Sequence, residues 1–443
     1  MAKLFVISFE GMNYDILNKL IDNHILKNFE KLKNDGYIGK IRCSRIPYEA
    51  SGLVSAFSGL VDYEHGVLSY WKAHNYEYIP KTYDSNDIKD IMIWNQNELR
   101  DHKQAVINIY GTHPPYPLNG KLISYAMNRT LRYSYPDTLI KDFASQGLPY
   151  LQDMGAFFIG QDKHKFAKDV LKVESIRYEV CKKVIKSEVD IIYVNFTCID
   201  RVSHFFMNEL KDDSITWDDK IIYHMYKQCD EYLGGLMQYV YADNADLILF
   251  SSVGFNHLKK FVEINPYLKE KGLLTWSDNP RIPNWSKTIA FEAVQGTHGI
   301  NINREFIYKN GFIKEHEYND ISNEVIYHLK QMKNPYNDNL MFKDVVLGRE
   351  YYRNHPCAPD IVTLPLDNNY LPYGDSYWSD RVMRHSQTGW HDNTTVWGGI
   401  GPNISGKIKE EDANNDITQI APTINHILSN PIKNSFYRSS LVK

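Results

Sequence analysis

Asp200-Arg-Val-Ser-His204 places a carboxylate and an imidazole four residues apart, directly after the apolar run Asp190 to Phe196. If that run is a strand feeding a helix, the spacing puts both side chains on one face, where they could hold a single cation. The plainer assignment is a solvated Asp and a surface His. His391, in Gly389-Trp-His391-Asp-Asn393, reads as part of a polar turn ahead of the glycine-rich run Val396 to Pro402, and taken alone it is polar surface. Arg201 could meet an anionic group beside such a cation, although solvation at the surface is the first assignment. His65 and His298 precede glycines and read as structural. The tyrosines between Tyr70 and Tyr83 could stack on a base or sugar ring, but aromatic residues in irregular segments mostly pack covering loops.

The elements that must position these groups are short β-rich apolar runs alternating with helical patterns. The clearest runs are Leu4 to Phe9, Ala105 to Tyr110, Asp190 to Phe196 and Leu247 to Phe250. Helical periodicity covers about Tyr14 to Lys33, Lys165 to Lys186, Lys220 to Tyr241 and Ile321 to Met332. This alternation predicts an α/β fold with a mostly parallel central sheet and helices on both faces. Ligands in such sheets bind outside the carboxyl ends of the strands. That rule selects Glu10 and Gly11, Asp200 to His204, and Ser251 to Gly254. The absence of repeats, low-complexity tracts or long linkers predicts one domain over residues 1–443, decorated by irregular Tyr, Pro and Asn-rich insertions at 70–160 and 334–380.

A net charge of −4, with no basic stripe, argues against nucleic acid as a partner and leaves small anionic molecules open. No segment has the roughly 20 apolar residues of a membrane span, so no membrane partner is expected. The five cysteines are scattered and odd in number, and the opening residues lead into a strand pattern without a secretory h-region. Both features predict a cytoplasmic protein with free thiols.

Several segments, in order, give the chain a family likeness. Phe5-Val-Ile-Ser-Phe-Glu10-Gly11 stands where a first strand ends in Asp-Gly, and Ser58-Gly59 is followed at the expected distance by His65-Gly66-Val67. Tyr110-Gly-Thr-His-Pro-Pro-Tyr-Pro-Leu-Asn-Gly120, Asp200-xxx-His204, Ile264-Asn-Pro-Tyr-Leu268, Gly299-Ile-Asn-Ile-Asn303, Gly389-Trp-His391 to Gly401-Pro402 and Ile420-Ala-Pro-Thr-Ile424 continue the pattern. In these landmarks the sequence resembles the type I phosphodiesterase and nucleotide pyrophosphatase family of the alkaline phosphatase superfamily. The resemblance runs over nearly the whole chain and implies that superfamily's fold and a bimetal site acting on phosphorylated small molecules.

The two halves of that implied site fare differently. One metal would be held by positions matching Asp200, His204 and His391. The other would use the first-strand Asp, a nucleophilic Thr and an Asp-His pair; here these positions carry Glu10, Glu49 (counted without a gap back from Gly59), Ser252 and Val253. Glu10 can still bind a metal through oxygen, whereas Val253 offers no ligand atom. The ordinary second metal site is therefore not expected to form, and one divalent ion, zinc first and manganese or iron otherwise, is the expected cofactor. Glu49 falls where a reacting group belongs and could act as a general base toward water; the alternative is an exposed loop Glu. Ser51 is two residues out of register and reads first as a helix N-cap, second as a displaced nucleophile, and Glu10 is a third catalytic candidate.

Three functions follow as expectations. The first is a metal-dependent hydrolase acting on a phosphoester or pyrophosphate bond of a small phosphorylated molecule through a reduced, one-metal site. The second is a binding or scaffold protein that kept the fold and lost catalysis, favoured by Ser252 and Val253. The third is a metalloenzyme of another reaction class, because two His and one carboxylate also form non-haem iron sites.

Overall fold

The computed structural model describes residues 2–127, 130–153, 162–216, 219–279, 282–373, 386–409, 414–429, 436 and 438–443. The chain divides into two compact units. The first comprises Met1–Val61, Asp84–Asn256 and Gly389–Lys443; the second comprises Asp62–Tyr83 and His257–Thr388. Of the expected covering insertions, residues 334–373 lie in the second unit and the described part of 84–153 in the first. Residues 128–129, 154–160 and 374–380 of those insertions fall outside the described residues.

The first unit is α/β. Its eight-stranded sheet runs in the order Tyr37–Arg42, Thr394–Ile400, Asp246–Phe250, Leu4–Phe9, Ile191–Phe196, Gln104–Ile107, Gly120–Ile123, Ser134–Tyr135. The five strands from Asp246–Phe250 to Gly120–Ile123 are parallel, and antiparallel strands close both edges. Central strands read as unbroken apolar runs because both faces are covered: all six residues of Leu4–Phe9 are buried. Helices lie on opposite faces of the strand Ile191–Phe196. Phe57, from the helix Glu49–Ser58, packs edge-on against Tyr193, whereas Tyr232, from the helix Ile221–Asp243, stacks on Phe196. Residues three apart on a strand point to opposite faces. Burying each such side chain contributes about 1.5–3 kcal/mol.

The expected strands and the helices near Lys165, Lys220 and Ile321 are present, with ends shifted by up to three residues. The single helix expected over Tyr14 to Lys33 is two, Tyr14–Asp22 and Lys27–Asp35. The break comes at His24, which takes a left-handed backbone at φ 55° and so cannot continue the helix. The glycine-rich run after His391 is the antiparallel strand Thr394–Ile400, paired with Asp246–Phe250. Among the described residues, no helix is long and apolar enough to cross a membrane.

The second unit has its own antiparallel sheet in the order Ala290–Glu292, Gly299–Ile302, Ile361–Pro365, Phe342–Leu347. Its core includes Ile264, Leu268, Ile300, Val325, Leu329 and Ile361. Tyr78 stacks between Trp285, 3.9 Å away, and Tyr308, 5.1 Å away. That tyrosine is part of the unit's own packing, as aromatic residues in loops usually are.

Three histidines of this unit are held neutral by burial. His65 is lowered to about 3 by burial and then by His355, and His298 to about 4 by burial alone. His74 is lowered by burial against the opposing pull of Asp360. In the unfolded chain all three protonate below about pH 6.5. The unfolded state then binds more protons, so stability falls as pH drops from about 6.5 toward 4, by at most roughly 1.4 kcal/mol per pH unit for each group. Thermal melts in a chelator, which removes any contribution from bound metal, should show a falling Tm over that window. A flat profile would mean that these rings accept protons in place.

Candidate active site

The carboxyl ends of three neighbouring strands converge in the first unit. Leu4–Phe9 ends in Glu10, whose backbone N–H donates to Phe196 O at 2.8 Å and whose carbonyl accepts from Asp200 N at 3.0 Å. These bonds tie the first strand's end to the first turn of the helix Cys198–Phe206. Gly11 makes the approach possible: it sits at φ +80°, and a Cβ there would lie 2.6 Å from Asp200 Cα. From Asp246–Phe250 the chain continues into Ser251, whose Oγ accepts from Met12 N at 3.0 Å and donates to Val253 O at 2.7 Å.

Asp200 and His204, one helical turn apart, face one point as their spacing predicts. His204 Nε2 lies 3.6 Å from Asp200 Oδ2. His391 comes from the strand Gly389–Asp392 rather than from the expected turn, and its ring is buried. Its Nε2 lies 3.1 Å from Asp200 Oδ1 and 3.3 Å from Glu49 Oε2. Asp200, His204 and His391 each offer a ligand atom, all within 4.8 Å of one another. Tyr48, Phe255 and Trp390 pack around the two imidazoles at centroid distances of 4.8–5.4 Å. A buried Asp/His/His set with aromatic walls fits a divalent cation of the zinc, manganese or iron type.

Glu49 is a buried residue, not an exposed loop Glu: it is the first residue of the helix Glu49–Ser58, where the helix dipole favours negative charge. Gly52 lets that helix sit against the strand end, because a Cβ at this position would meet Ser252 O at 2.1 Å. Ser51 is not the N-cap. Tyr48 holds that position, and Ser51, in the first turn, accepts a hydrogen bond from Ser44 Oγ at 3.0 Å through its own Oγ. Ser252 Oγ and Glu10 Oε2 are buried with no hydrogen-bond partner among the described residues, and Val253 is fully buried.

The electrostatics of the cluster follow from burial and charge. Burial raises Glu10 well above the ordinary carboxyl range, the Asp200 carboxylate adds to this, and Arg201 opposes it. Asp200 is held below its ordinary value despite burial, because His204, Arg201 and His391 all favour its anion. Burial brings His204 down to about 3, against the pull of Asp200, so this ring is neutral at neutral pH. His391 goes the other way: burial alone would lower it, but Glu49 and Asp200 together raise it. The two carboxylates thus favour the charged form of this ring when no cation is bound.

Arg201 overturns the surface assignment. It is 4% exposed, and its Nη1 donates to Asp200 Oδ2 at 2.5 Å while Nη2 donates to Asp153 Oδ2 at 2.9 Å and Tyr125 Oη at 2.8 Å. Behind it, Asp153 Oδ1 accepts from Arg177 Nη2 at 3.2 Å and Thr197 Oγ1 at 2.9 Å, and Arg177 pairs with Glu174. Sequence reasoning missed Asp153, Glu174 and Arg177. Glu174 and Arg177 carry a signal: they fall on the apolar stripe of Lys163–Ile185, beside Phe166, Val170, Val173 and Val180. His65 and His298 are in the second unit and are not among the three converging ligands.

The type I phosphodiesterase/nucleotide pyrophosphatase family model matches residues 4–392. No curated protein matches the sequence. Among solved structures, murine ectonucleotide pyrophosphatase/phosphodiesterase 5 is 14% identical with a TM-score of 0.59, each chain being covered completely. The alkaline phosphatase PafA is 13% identical with a TM-score of 0.60, over 100% of this chain and 98% of that one. Phosphonoacetate hydrolase from Sinorhizobium meliloti 1021, in complex with phosphonoacetate, is 12% identical with a TM-score of 0.61, over 95% of this chain and 94% of that one. At these identities the likeness is one of fold, that of the alkaline phosphatase superfamily.

Proposed function

The chain belongs to the type I phosphodiesterase/nucleotide pyrophosphatase family, and on that premise we propose that it is a hydrolase of a phosphoester or pyrophosphate bond in a small, nucleotide-like molecule, working with one divalent cation. The observation that carries this reading is the convergence of Asp200, His204 and His391 within 4.8 Å, with Glu49 Oε2 3.3 Å from the His391 ring. A cation held there would polarise a phosphoryl oxygen and acidify water. Glu49 takes the proton from the attacking water as the bond from phosphorus to the leaving oxygen breaks. Tyr48, Phe255 and Trp390 keep bulk water from the imidazoles, and Arg201 fixes the Asp200 carboxylate. An inactive variant of murine ectonucleotide pyrophosphatase/phosphodiesterase 5 is found in complex with AMP, which supports a nucleotide-like substrate. The five free cysteines support a cytoplasmic location.

The test is elemental analysis after exhaustive dialysis, paired with hydrolysis of a nucleoside pyrophosphate. One equivalent of zinc, manganese or iron per chain is expected, with turnover abolished by a chelator and restored by the metal. Two retained equivalents would sink the one-cation reading. The scaffold reading is favoured by Ser252 and Val253, which offer neither a carboxylate nor an imidazole. Absence of turnover, together with a Tm raised by AMP, would select it.

A further inference from the structure

Four carboxylates share one buried neighbourhood. Glu10, 1% exposed, feels Asp200, Glu49 and Asp153 as like charges and Arg201 as the opposing one. One divalent ion at Asp200, His204 and His391 would leave this cluster short of positive charge; Val253 offers a second ion no ligand atom, but Glu10 Oε2 and Ser252 Oγ are oxygens with no hydrogen-bond partner among the described residues. The guanidinium of Arg201 reaches Asp200 Oδ2 at 2.5 Å with one nitrogen and Asp153 Oδ2 at 2.9 Å with the other. It is held by more than these pairs. Tyr125 Oη accepts from Nη2 at 2.8 Å, and Asp153 is itself fixed by Arg177 and Thr197.

We propose that Arg201 takes the electrostatic place of a second cation: clamped between Asp200 and Asp153, it offsets the acidic cluster around Glu10 and limits the site to one divalent ion. Arg201 acts through Asp200 and touches no reacting atom in this role, so it is a positioning residue. A guanidinium suits the task because it stays charged and presents a planar fork of donors to two carboxylates at once. The inference rests on the one-cation reading above.

The experiment is titration of the full-length, chelator-stripped protein with Mn2+, followed by calorimetry and by metal analysis after gel filtration. Wild type and Arg201→Lys, which keeps the charge, should each take up one equivalent. Arg201→Gln should take up two, and adding Glu10→Gln to it should return the number to one. A folded Arg201→Gln that still binds one ion would overturn the inference while leaving the one-cation reading intact. Two equivalents in the wild type would overturn both. If Arg201→Gln folds only with metal, its Tm against Mn2+ concentration gives the answer. Two saturable rises are expected where wild type shows one, and a single rise would overturn the proposal.

Discussion

Glu49→Gln should lower kcat on a nucleoside pyrophosphate by about 10²-fold to 10⁴-fold, the range that a positioned general base contributes, while metal content stays at the wild-type value. The substitution keeps the size and planar shape of the side chain and removes its capacity to take a proton. Glu49 Oε2 lies 3.3 Å from His391 Nε2, beside the three converging ligands without being one of them. Loss of the charge should therefore spare the cation and cost the proton transfer. Ser51→Ala is the matched comparison. Its Oγ accepts from Ser44 in the first turn of the same helix, so its removal should cost about 0.5–1.5 kcal/mol of stability and leave turnover nearly unchanged. The reverse pattern, an inactive Ser51→Ala with phosphoserine trapped in the wild type, would assign nucleophilic catalysis to Ser51. Full activity in both variants would remove Glu49 from the reaction and make Glu10 the next residue to replace.

The parts of the site legible in the sequence were those governed by local periodicity. Asp200 and His204 follow a strand and sit one helical turn apart, so one face of one helix was enough to bring them together. His391 was legible as a residue type but not as an element. Its Gly-Trp-His-Asp context has the composition of a turn, yet Gly389 begins a strand that packs so closely that a Cβ there would meet Ser203 O at 2.3 Å and Met207 Cγ at 2.3 Å. Such contacts join residues far apart in sequence and leave no local signature. Arg201 and Ser51 failed for a related reason, since a charged residue is presumed exposed and a serine before an apolar stretch is presumed a cap. Both presumptions give way when a helix is buried on all sides, as Glu49–Ser58 is. The sheet followed the same division. Parallel central strands were readable from unbroken apolar runs, whereas the antiparallel strand Thr394–Ile400, diluted by Gly398 and Gly399, needed its partners Tyr37–Arg42 and Asp246–Phe250 to be recognised.

Asp200→Asn should have two separable consequences, because this carboxylate serves the candidate cation site and the buried arginine pair together. Oδ1 faces His391 at 3.1 Å, and Oδ2 faces both Arg201 at 2.5 Å and His204 at 3.6 Å. An amide keeps one weak oxygen ligand and loses the charge that attracts a divalent ion, so most of the metal should be lost on dialysis. Turnover on a nucleoside pyrophosphate should fall with it. Stability should fall as well. Removing one partner of a buried ion pair commonly costs about 3–5 kcal/mol, but Arg201 retains Asp153 and Tyr125, so the loss should sit at or below the lower end of that range. Saturating Mn2+ should restore turnover in part while leaving most of the stability deficit, since a cation at the two imidazoles cannot replace the carboxylate against the guanidinium. If excess metal restored both together, Arg201 would owe nothing to Asp200, and the two roles assigned to this carboxylate would collapse into one. If neither metal content nor turnover changed, the cation would have to be held elsewhere, and the site built on Asp200, His204 and His391 would be the wrong one.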